Sequence, residues 1–561
     1  MTLPLTSYSD DAAVASIYGT ASRTGGDFGG ASSTTLVTAP TPLSTDRLIE
    51  PPCQGWQQQE FKTTSDASAA AAVATAMAAT DSLTAPGLTQ TIRQAIPRYV
   101  EVFWEKVAPI YPIVHRTSLE VAATIPEHRE LLASAMAAVA TQYLDSPDDR
   151  VNGSELHAYA WSHAKQFTKF DPWPLPIVQT ILLCEFYARY RGRKKGAHIA
   201  SPHFARLYQM MNDPENTFAS LPAEGSLEQR WRNWIDMETR RRIFAACFLL
   251  DIHSMRYLEQ PPTKIRGMDY TSHSTLNIPF STNTARQWDV TKAKDWGALL
   301  NGARPTKTLA SISLEDVTRK DIASISRFDG AVVLAGLSLR LPRRRSLTKI
   351  DLLNSPLDAD ATTSRIAALF PDIGSANAYL ALQHTPLHIL LSVSGDSWVF
   401  NNKVPSPERF QDHRHQLREW SESGSAAVAT VCAAKALKAF LTPCIYFDNA
   451  GEPLLRPAWD DISDYWGFYA CVLICWACGC NDEEEVDSTP FSVPVALQCV
   501  NTMTQLRPDQ IQGLVGRQHA RLVIGLGKQV LTKDCLGGRS ILFADAVNVL
   551  RKLDERDGSE W

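Results

Sequence analysis

Trp234-Ile235-Asp236-Met237-Glu238-Thr239-Arg240-Arg241-Arg242 runs directly into Ile243-Phe244-Ala245-Ala246-Cys247-Phe248-Leu249-Leu250 and then Asp251. Three adjacent arginines open onto an unbroken apolar octet that ends in an acid, and a helix apolar on all sides has to be enclosed by others. Glu238 precedes Arg242 by four residues, the favourable order for an intrahelical ion pair. Asp251 lies roughly two and a half to three turns beyond the arginines, out of their reach along the helix. Its partner therefore comes from elsewhere in the fold, because a buried charge without one is costly. The segment predicts a central helix with other helices packed on every side.

The rest of the chain agrees. Leu131, Ala135, Ala138 and Val139 recur at helical spacing, as do Ile177, Ile181, Cys184 and Ala188, and later Leu542, Ala546, Val549 and Leu553. No comparable alternating run appears, so the expected fold class is all-α. Breaks are marked at Pro172 to Pro176, Pro261-Pro262, Pro279, Pro342, Pro405 and Pro457. Met268 to Lys307 and Arg340 to Asp360 read as long loops or poorly ordered insertions, and no fixed-period repeat is present. Residues 1–88 are Ser, Thr, Ala, Gly and Pro with few branched apolar side chains, a composition that buries too little to offset ordering entropy. The expected division is a disordered tail over 1–88 and an all-helical domain over 89–561.

Of the 561 residues, 44% are hydrophobic and 20% charged, and the formal net charge is −5. The first 90 residues hold eight acids against Arg23, Arg47 and Lys62, so that segment carries the whole imbalance. Neither part has the basic excess of a self-sufficient nucleic-acid binder, whose affinity comes largely from neutralising phosphates. The start of the chain, with Asp10 and Asp11 and no apolar core, is unlike a secretory signal. The apolar run Trp466 to Gly479 falls short of the ~20 residues a membrane helix needs. Eleven cysteines, several within apolar helical patterns, read as reduced core thiols of an intracellular protein with no membrane partner.

The constellations that suggest chemistry have plainer readings beside them. Cys471, Cys475, Cys478 and Cys480 invite a metal site, yet they sit among Tyr465, Trp466, Phe468, Tyr469, Leu473 and Trp476, where cysteine acts as a small hydrophobe. His384 and His388 have the four-residue spacing of a helical metal pair, but Pro386 between them marks a helix start and no glutamate follows. His413 and His415 read as a solvated charged face. Asp145, Asp148 and Asp149 lie in a proline-containing turn, and Asn481 to Asp487 reads as an acidic surface loop; neither has the paired aspartates of a diphosphate site. Gly525-Leu526-Gly527-Lys528 lacks both the leading glycine and the hydroxyl residue of a phosphate loop. No catalytic residue, metal site or cofactor is expected. Two basic clusters remain, Arg189 to Lys195 and Arg340 to Arg345. Each reads either as a nuclear import signal or as a solvated loop, with Arg343, Arg344 and Arg345 the better import candidate.

The opening stretch resembles the signature of the fungal-specific transcription factor regulatory domain, in which an E-x-R-R-R-hydrophobic run is followed by an aspartate and a proline-containing turn. Here Trp234, Glu238, Arg240, Arg241, Arg242 and Asp251 carry it, with Gln260-Pro261-Pro262 as the turn. Upstream, Tyr111-Pro112-Ile113-Val114-His115-Arg116 and the segment from Trp173 to Gly196 are similar to earlier elements of that family. Downstream, Asn277-Ile278-Pro279, Trp288, Trp296, His384 to Leu391 with Trp398, and Asp545 to Leu553 resemble members that carry C₂H₂ zinc fingers. The resemblance spans about residues 95–555.

It implies an all-helical regulatory region of a nuclear protein that regulates RNA polymerase II genes, in a metabolic or secondary-metabolite pathway. The implied partners are other transcription factors or the transcription machinery, with homo- or hetero-dimerisation left open. The departure is at the front: Cys53 is the lone cysteine there and no histidine precedes His115, too few for the four ligands of a structural zinc site. DNA contact is therefore expected to be indirect, unless an upstream exon supplies a finger. Two other readings stay open at this point: a finger-free binding scaffold or ligand sensor outside transcription, and an enzyme built on a helical bundle.

Overall fold

The computed structural model describes residues 87–555 except 121–124, 145, 170, 192–199, 219–223, 301–306, 342–360, 396–405, 442–444, 448–452, 456–460, 462, 480–490, 512–515 and 535–540. In chain order the helices of seven or more residues are α1 (Gln90–Val102), α2 (Pro126–Ala140), α3 (Pro147–Ala164), α4 (Leu175–Arg191), α5 (Pro202–Met211) and α6 (Leu227–Leu258). They continue with α7 (Ala293–Leu299), α8 (Arg327–Ser338), α9 (Ala361–Leu369), α10 (Gly374–Gln383), α11 (Leu387–Ser394) and α12 (Pro407–Ser421). The last are α13 (Gly424–Leu441), α14 (Asp464–Gly479), α15 (Val493–Gln505), α16 (Arg517–Asp534) and α17 (Ile541–Glu555). Among the described residues the extended structure is one antiparallel pair, β1 (Ile445–Phe447) on β2 (Pro453–Leu455), plus an isolated bridge between Pro279 and Thr308. The fold is all-α, as the periodicity predicts.

Helix starts follow a local rule. Ser146-Pro147, Ser201-Pro202 and Ser406-Pro407 each place a serine at the cap and a proline in the first turn. The serine hydroxyl accepts the amide three residues on, and the proline has no N–H to leave unpaired. These prolines start helices rather than break them. Ser226 opens α6 in the same manner through Gln229 N, 3.2 Å away. At 32 residues α6 is about 48 Å long, and it ends at Glu259, whose φ of 49° turns the chain in the left-handed region.

One continuous core runs from Ile92 to Leu553. At one end α2 packs on α1, α3 and α4; at the other, α13 and α14 pack on each other and on α10, with α15 against α13 and α16 against α14. Helix α6 touches both groups, through α4 and α5 on one side and α8 and α10 on the other. Its second half, Arg242 to Leu258, is buried all round except for Met255, which is half-buried. The enclosed rod expected from the arginine-to-aspartate stretch is what the fold is built around.

Two expectations change. The stretch after Met268 holds short helical turns, the half-buried Trp288 and the fully buried Trp296, so its residues up to Leu300 are an ordered layer rather than an insertion. Helix α13 is long and apolar enough to cross a membrane, a feature the run at Trp466 overshadows; 67% of it is buried among its neighbours, as in the core helix of a soluble fold. The tail 1–86, the alanine run, the insertion 342–360, Trp398 and the acidic run 481–487 lie outside the described residues.

Candidate functional site

The three arginines on α6 diverge. Arg242 is buried, and its Nε donates to Glu238 Oε1 at 3.0 Å, one turn back. Its Nη2 donates to Ser281 O at 3.4 Å and to Thr284 Oγ1 at 3.3 Å, and the guanidinium lies 4.1 Å over the Trp288 ring. Glu238 also accepts the Thr284 hydroxyl and faces Arg241 Nη1 at 3.6 Å. Arg241 in turn donates from Nε to Thr217 O at 2.9 Å, anchoring the chain before α6. Arg240 is half-buried, balanced by Asp236 on the preceding turn. Burial pushes all three guanidinium pKa values down, and Glu238 or Asp236 pulls them back up. They stay charged, because arginine starts so high.

The segment that Arg242 grips is held from the far side by Asp329 in the first turn of α8. This fully buried carboxylate accepts Ser281 N at 2.8 Å, Ser281 Oγ at 3.0 Å, Thr282 N at 2.7 Å and the Thr282 hydroxyl. Ser281 to Thr284 is thus clamped between α6 and α8. Sequence reading missed Asp329; the available signal was Ser326-x-x-Asp329, where Ser326 caps α8 by accepting Asp329 N at 3.1 Å.

Asp251 finds its partners beyond the double proline, as the charge argument requires. Thr263 donates to it from N at 3.0 Å and from Oγ1 at 2.6 Å, and Tyr270 donates from its hydroxyl at 2.6 Å. Burial raises the Asp251 pKa and these hydrogen bonds oppose the rise. A second buried ion pair escaped the sequence reading. Arg189, grouped there with a basic cluster, is fully buried on α4; its Nε donates to Glu185 Oε1 at 3.0 Å and its Nη1 to Ser254 Oγ at 2.8 Å. Its guanidinium also lies 4.2 Å over Phe204. Arg189 is therefore neither a solvated residue nor part of an import signal. The Glu-x3-Arg spacing was the available clue.

Trp234 belongs to a separate apolar cluster with Trp231, Ile235, Ala293 and Trp296, its ring 5.9 Å from Trp296. His115 joins that layer by its Nε2, 2.8 Å from Trp288 O. Below it a cleft of about 450 Å³ opens between the starts of α2, α4 and α6, with His128, Pro174, Pro176, Gln179, Trp231 and Ile235 among its walls. Three stretches that carry the family resemblance therefore converge on one layer.

The remaining candidates disperse. Cys471, Cys475 and Cys478 are buried in α14, with burial raising the thiol pKa of the first two; Cys480 lies outside the described residues. His384 ends α10 and His388 sits on α11, so the pair does not share a helix. His413 on α12 faces Ser392 Oγ at 2.8 Å. Gly525 to Lys528 is internal to α16, where Gly527 packs close to Val472 of α14. Asp148 and Asp149 are the first turn of α3, where Asp149 accepts the Tyr99 hydroxyl at 2.7 Å; that is a helix start, not the expected turn. Arg343, Arg344 and Arg345 lie outside the described residues, as do Arg193 to Lys195. Among the described residues no group of three or more His, Cys, Asp or Glu side chains is placed to hold a metal ion.

The geometry around α6 engages charges with one another and with backbone. Physically it holds α4, α6, α8 and the intervening turns in register. Residues 100–365 match the fungal specific transcription factor domain, as the resemblance drawn from the sequence predicts. The matched range contains the whole clasp; the elements at His384 and Asp545 lie beyond it. Among curated proteins, the chain is similar to a nicotinate catabolism cluster-specific transcription factor of Emericella nidulans, 21% identical over 510 residues, which is 82% of this chain and 55% of that protein. The chain thus spans about half the length of the curated relative it matches. No solved structure matches.

Proposed function

We propose that this chain, whose residues 100–365 match a transcription factor domain, regulates transcription of RNA polymerase II genes in the nucleus. The observation that carries the reading is that match, together with a relative named for a catabolic gene cluster. That name also supports genes of a metabolic or secondary-metabolite pathway as the targets. The domain belongs to a class that controls rather than catalyses. Trp234, Glu238, Arg240, Arg241, Arg242 and Asp251 act as the domain's internal frame rather than as a contact surface. Its partners are other transcription factors or the transcription machinery, and DNA is reached through them. With 55 basic and 60 acidic side chains the chain has no excess of positive charge to hold phosphates itself. Arg343, Arg344 and Arg345 serve nuclear import.

The test is to express the full chain fused to a heterologous DNA-binding domain in fungal cells with a matching reporter, and to localise a tagged copy. The expected result is a several-fold change in reporter transcript and nuclear signal, the latter reduced by replacing Arg343, Arg344 and Arg345 with alanine. An unchanged reporter with the fusion present in the nucleus refutes the reading.

A further inference from the structure

Serine or threonine stands before proline eight times in the chain, and at one of these places, Ser406-Pro407-Glu408-Arg409, a basic residue follows three positions beyond the hydroxyl. Serine then proline, with a basic residue at that third position, is the pattern that proline-directed protein kinases of the cyclin-dependent class select. Such a pattern is common enough by chance that its setting has to decide whether a kinase can use it.

Ser146, Ser201 and Ser406 all cap helices ahead of a proline, so a helix start does not separate them. Their surroundings do. Ser146 leads into a pinned turn, in which Asp149 accepts the Tyr99 hydroxyl at 2.7 Å and Arg150 Nε donates to Leu144 O at 2.7 Å. A phosphate on Ser146 would also face the Asp149 carboxylate, and like charges at that range repel. Ser201 donates its N–H to Glu185 Oε1 at 2.9 Å, and Phe204 in the same turn is fully buried. Ser406 has none of these ties. It is partly exposed, its backbone is extended at φ −150° and ψ 157°, and Pro407, Glu408 and Arg409 are exposed. Its hydroxyl meets Arg409 N at 3.3 Å and the exposed Glu408 carboxylate. No side chain from Pro407 to Gln416 is buried, and the first that is, Leu417, lies about three turns into α12. A turn so lightly anchored opens at low cost, which lets Ser406 to Arg409 extend into a kinase cleft.

We propose that Ser406 is a phosphorylation site, the substrate of a proline-directed protein kinase that reads Arg409 as its basic residue. The Ser406 Oγ attacks the γ-phosphorus of ATP; an Oγ–P bond forms as the bond to the bridging oxygen breaks, ADP leaves, and the hydroxyl proton passes to the base of the kinase. The product is compatible with α12. Its phosphate sits at the helix start, where its oxygens accept first-turn amides and Arg409 lies on the same turn, while the exposed Glu408 is free to turn into solvent. The modification places up to about two negative charges at the start of α12, the helix that packs on α11. This inference concerns modification and does not rest on the transcriptional role.

The experiment incubates the folded full chain with a cyclin-dependent kinase and ATP, and follows each site by quantitative peptide mass spectrometry. Ser406 is expected to be phosphorylated close to completion, at an initial rate at least about tenfold above Ser146 and Ser201, whose turns must first break native contacts. Arg409→Ala, at an exposed position, should slow modification of Ser406 about tenfold by removing the charge the kinase reads. Arg409→Lys should restore most of that rate, and unchanged far-ultraviolet circular dichroism of both variants guards against loss of fold. No phosphate on Ser406 overturns the proposal. So do rates at Ser146 or Ser201 equal to that at Ser406, or an Arg409→Ala chain modified as fast as the parent.

Discussion

Replacing Arg242 with methionine strips the clasp of its cation while keeping most of the side-chain volume. Glu238 then stays buried with the Thr284 hydroxyl and an Arg241 nitrogen 3.6 Å away. Both Arg242 and Glu238 are at most 4% exposed, so solvent relieves little of the loss. Breaking one side of such a pair costs about 3–5 kcal/mol, and the lost stacking on Trp288 adds up to about 2 kcal/mol in a desolvated setting. The double variant Glu238→Leu/Arg242→Met removes both charges. Ser281 O keeps a donor in the Thr284 hydroxyl at 3.0 Å, and Arg241 loses its carboxylate neighbour but keeps Thr217 O, so no buried charge is left without a partner as it is in the single variant. The double variant should therefore be more stable than Arg242→Met alone, by about 2 kcal/mol or more given how strongly an uncompensated buried charge destabilises. Urea denaturation of the full chain, followed by tryptophan fluorescence, measures all four corners of the cycle. Should Arg242→Met cost less than about 1 kcal/mol, in the range of an exposed pair, or the two single losses simply add, the clasp does not hold the fold as argued.

Gly153→Ala should destabilise by about 1–3 kcal/mol, the usual cost of overpacking, because its Cβ would meet the buried Thr141 hydroxyl, which is tied to Ala138 O at 2.7 Å; thermal unfolding reads it. Acid should weaken the fold through His157, stacked on Tyr187, whose pKa burial pushes down to about 4. Its folded pKa lies below the unfolded value of about 6.5, so the unfolded chain binds the proton more tightly. Stability is then full above about 6.5 and falls as pH drops toward about 4, and His157→Gln should flatten that slope in urea midpoints taken across the window. Cys432, pushed up to about 11 by burial, and Cys499, pushed up to about 12, should resist a thiol reagent at pH 8 until the chain is unfolded; rapid labelling of either in the native protein contradicts their placement.

The central helix was legible because its apolar octet and flanking charges admit one environment, and Glu238 with Arg242 because helical spacing alone brings them together. The same rule, applied to Glu185 and Arg189, would have found the second pair; the run of basic residues after Arg189 drew attention to its surface meaning instead. That Asp251 needs a distant partner was legible, but its identity was not. Thr263 and Tyr270 reach it only once the double proline has turned the chain back along α6. The grip of Asp329 on Ser281 and Thr282 spans more than 40 residues and leaves no local pattern beyond the cap at Ser326. The tryptophan layer was mistaken in part for insertion because short turns packed by large rings have too few residues for periodicity to register. The cleft was invisible from sequence for a related reason, since its walls come from the ends of three helices.

Amide hydrogen exchange on the full chain tests most directly the claim that the fold is built around α6. The amides of Ile243 to Leu258 should exchange only through global opening, the slowest in the protein, and Arg242→Met should speed them together with those of α4 and α8. If those amides exchange among the fastest while α2 and α14 stay protected, the enclosed rod is not the centre of this molecule.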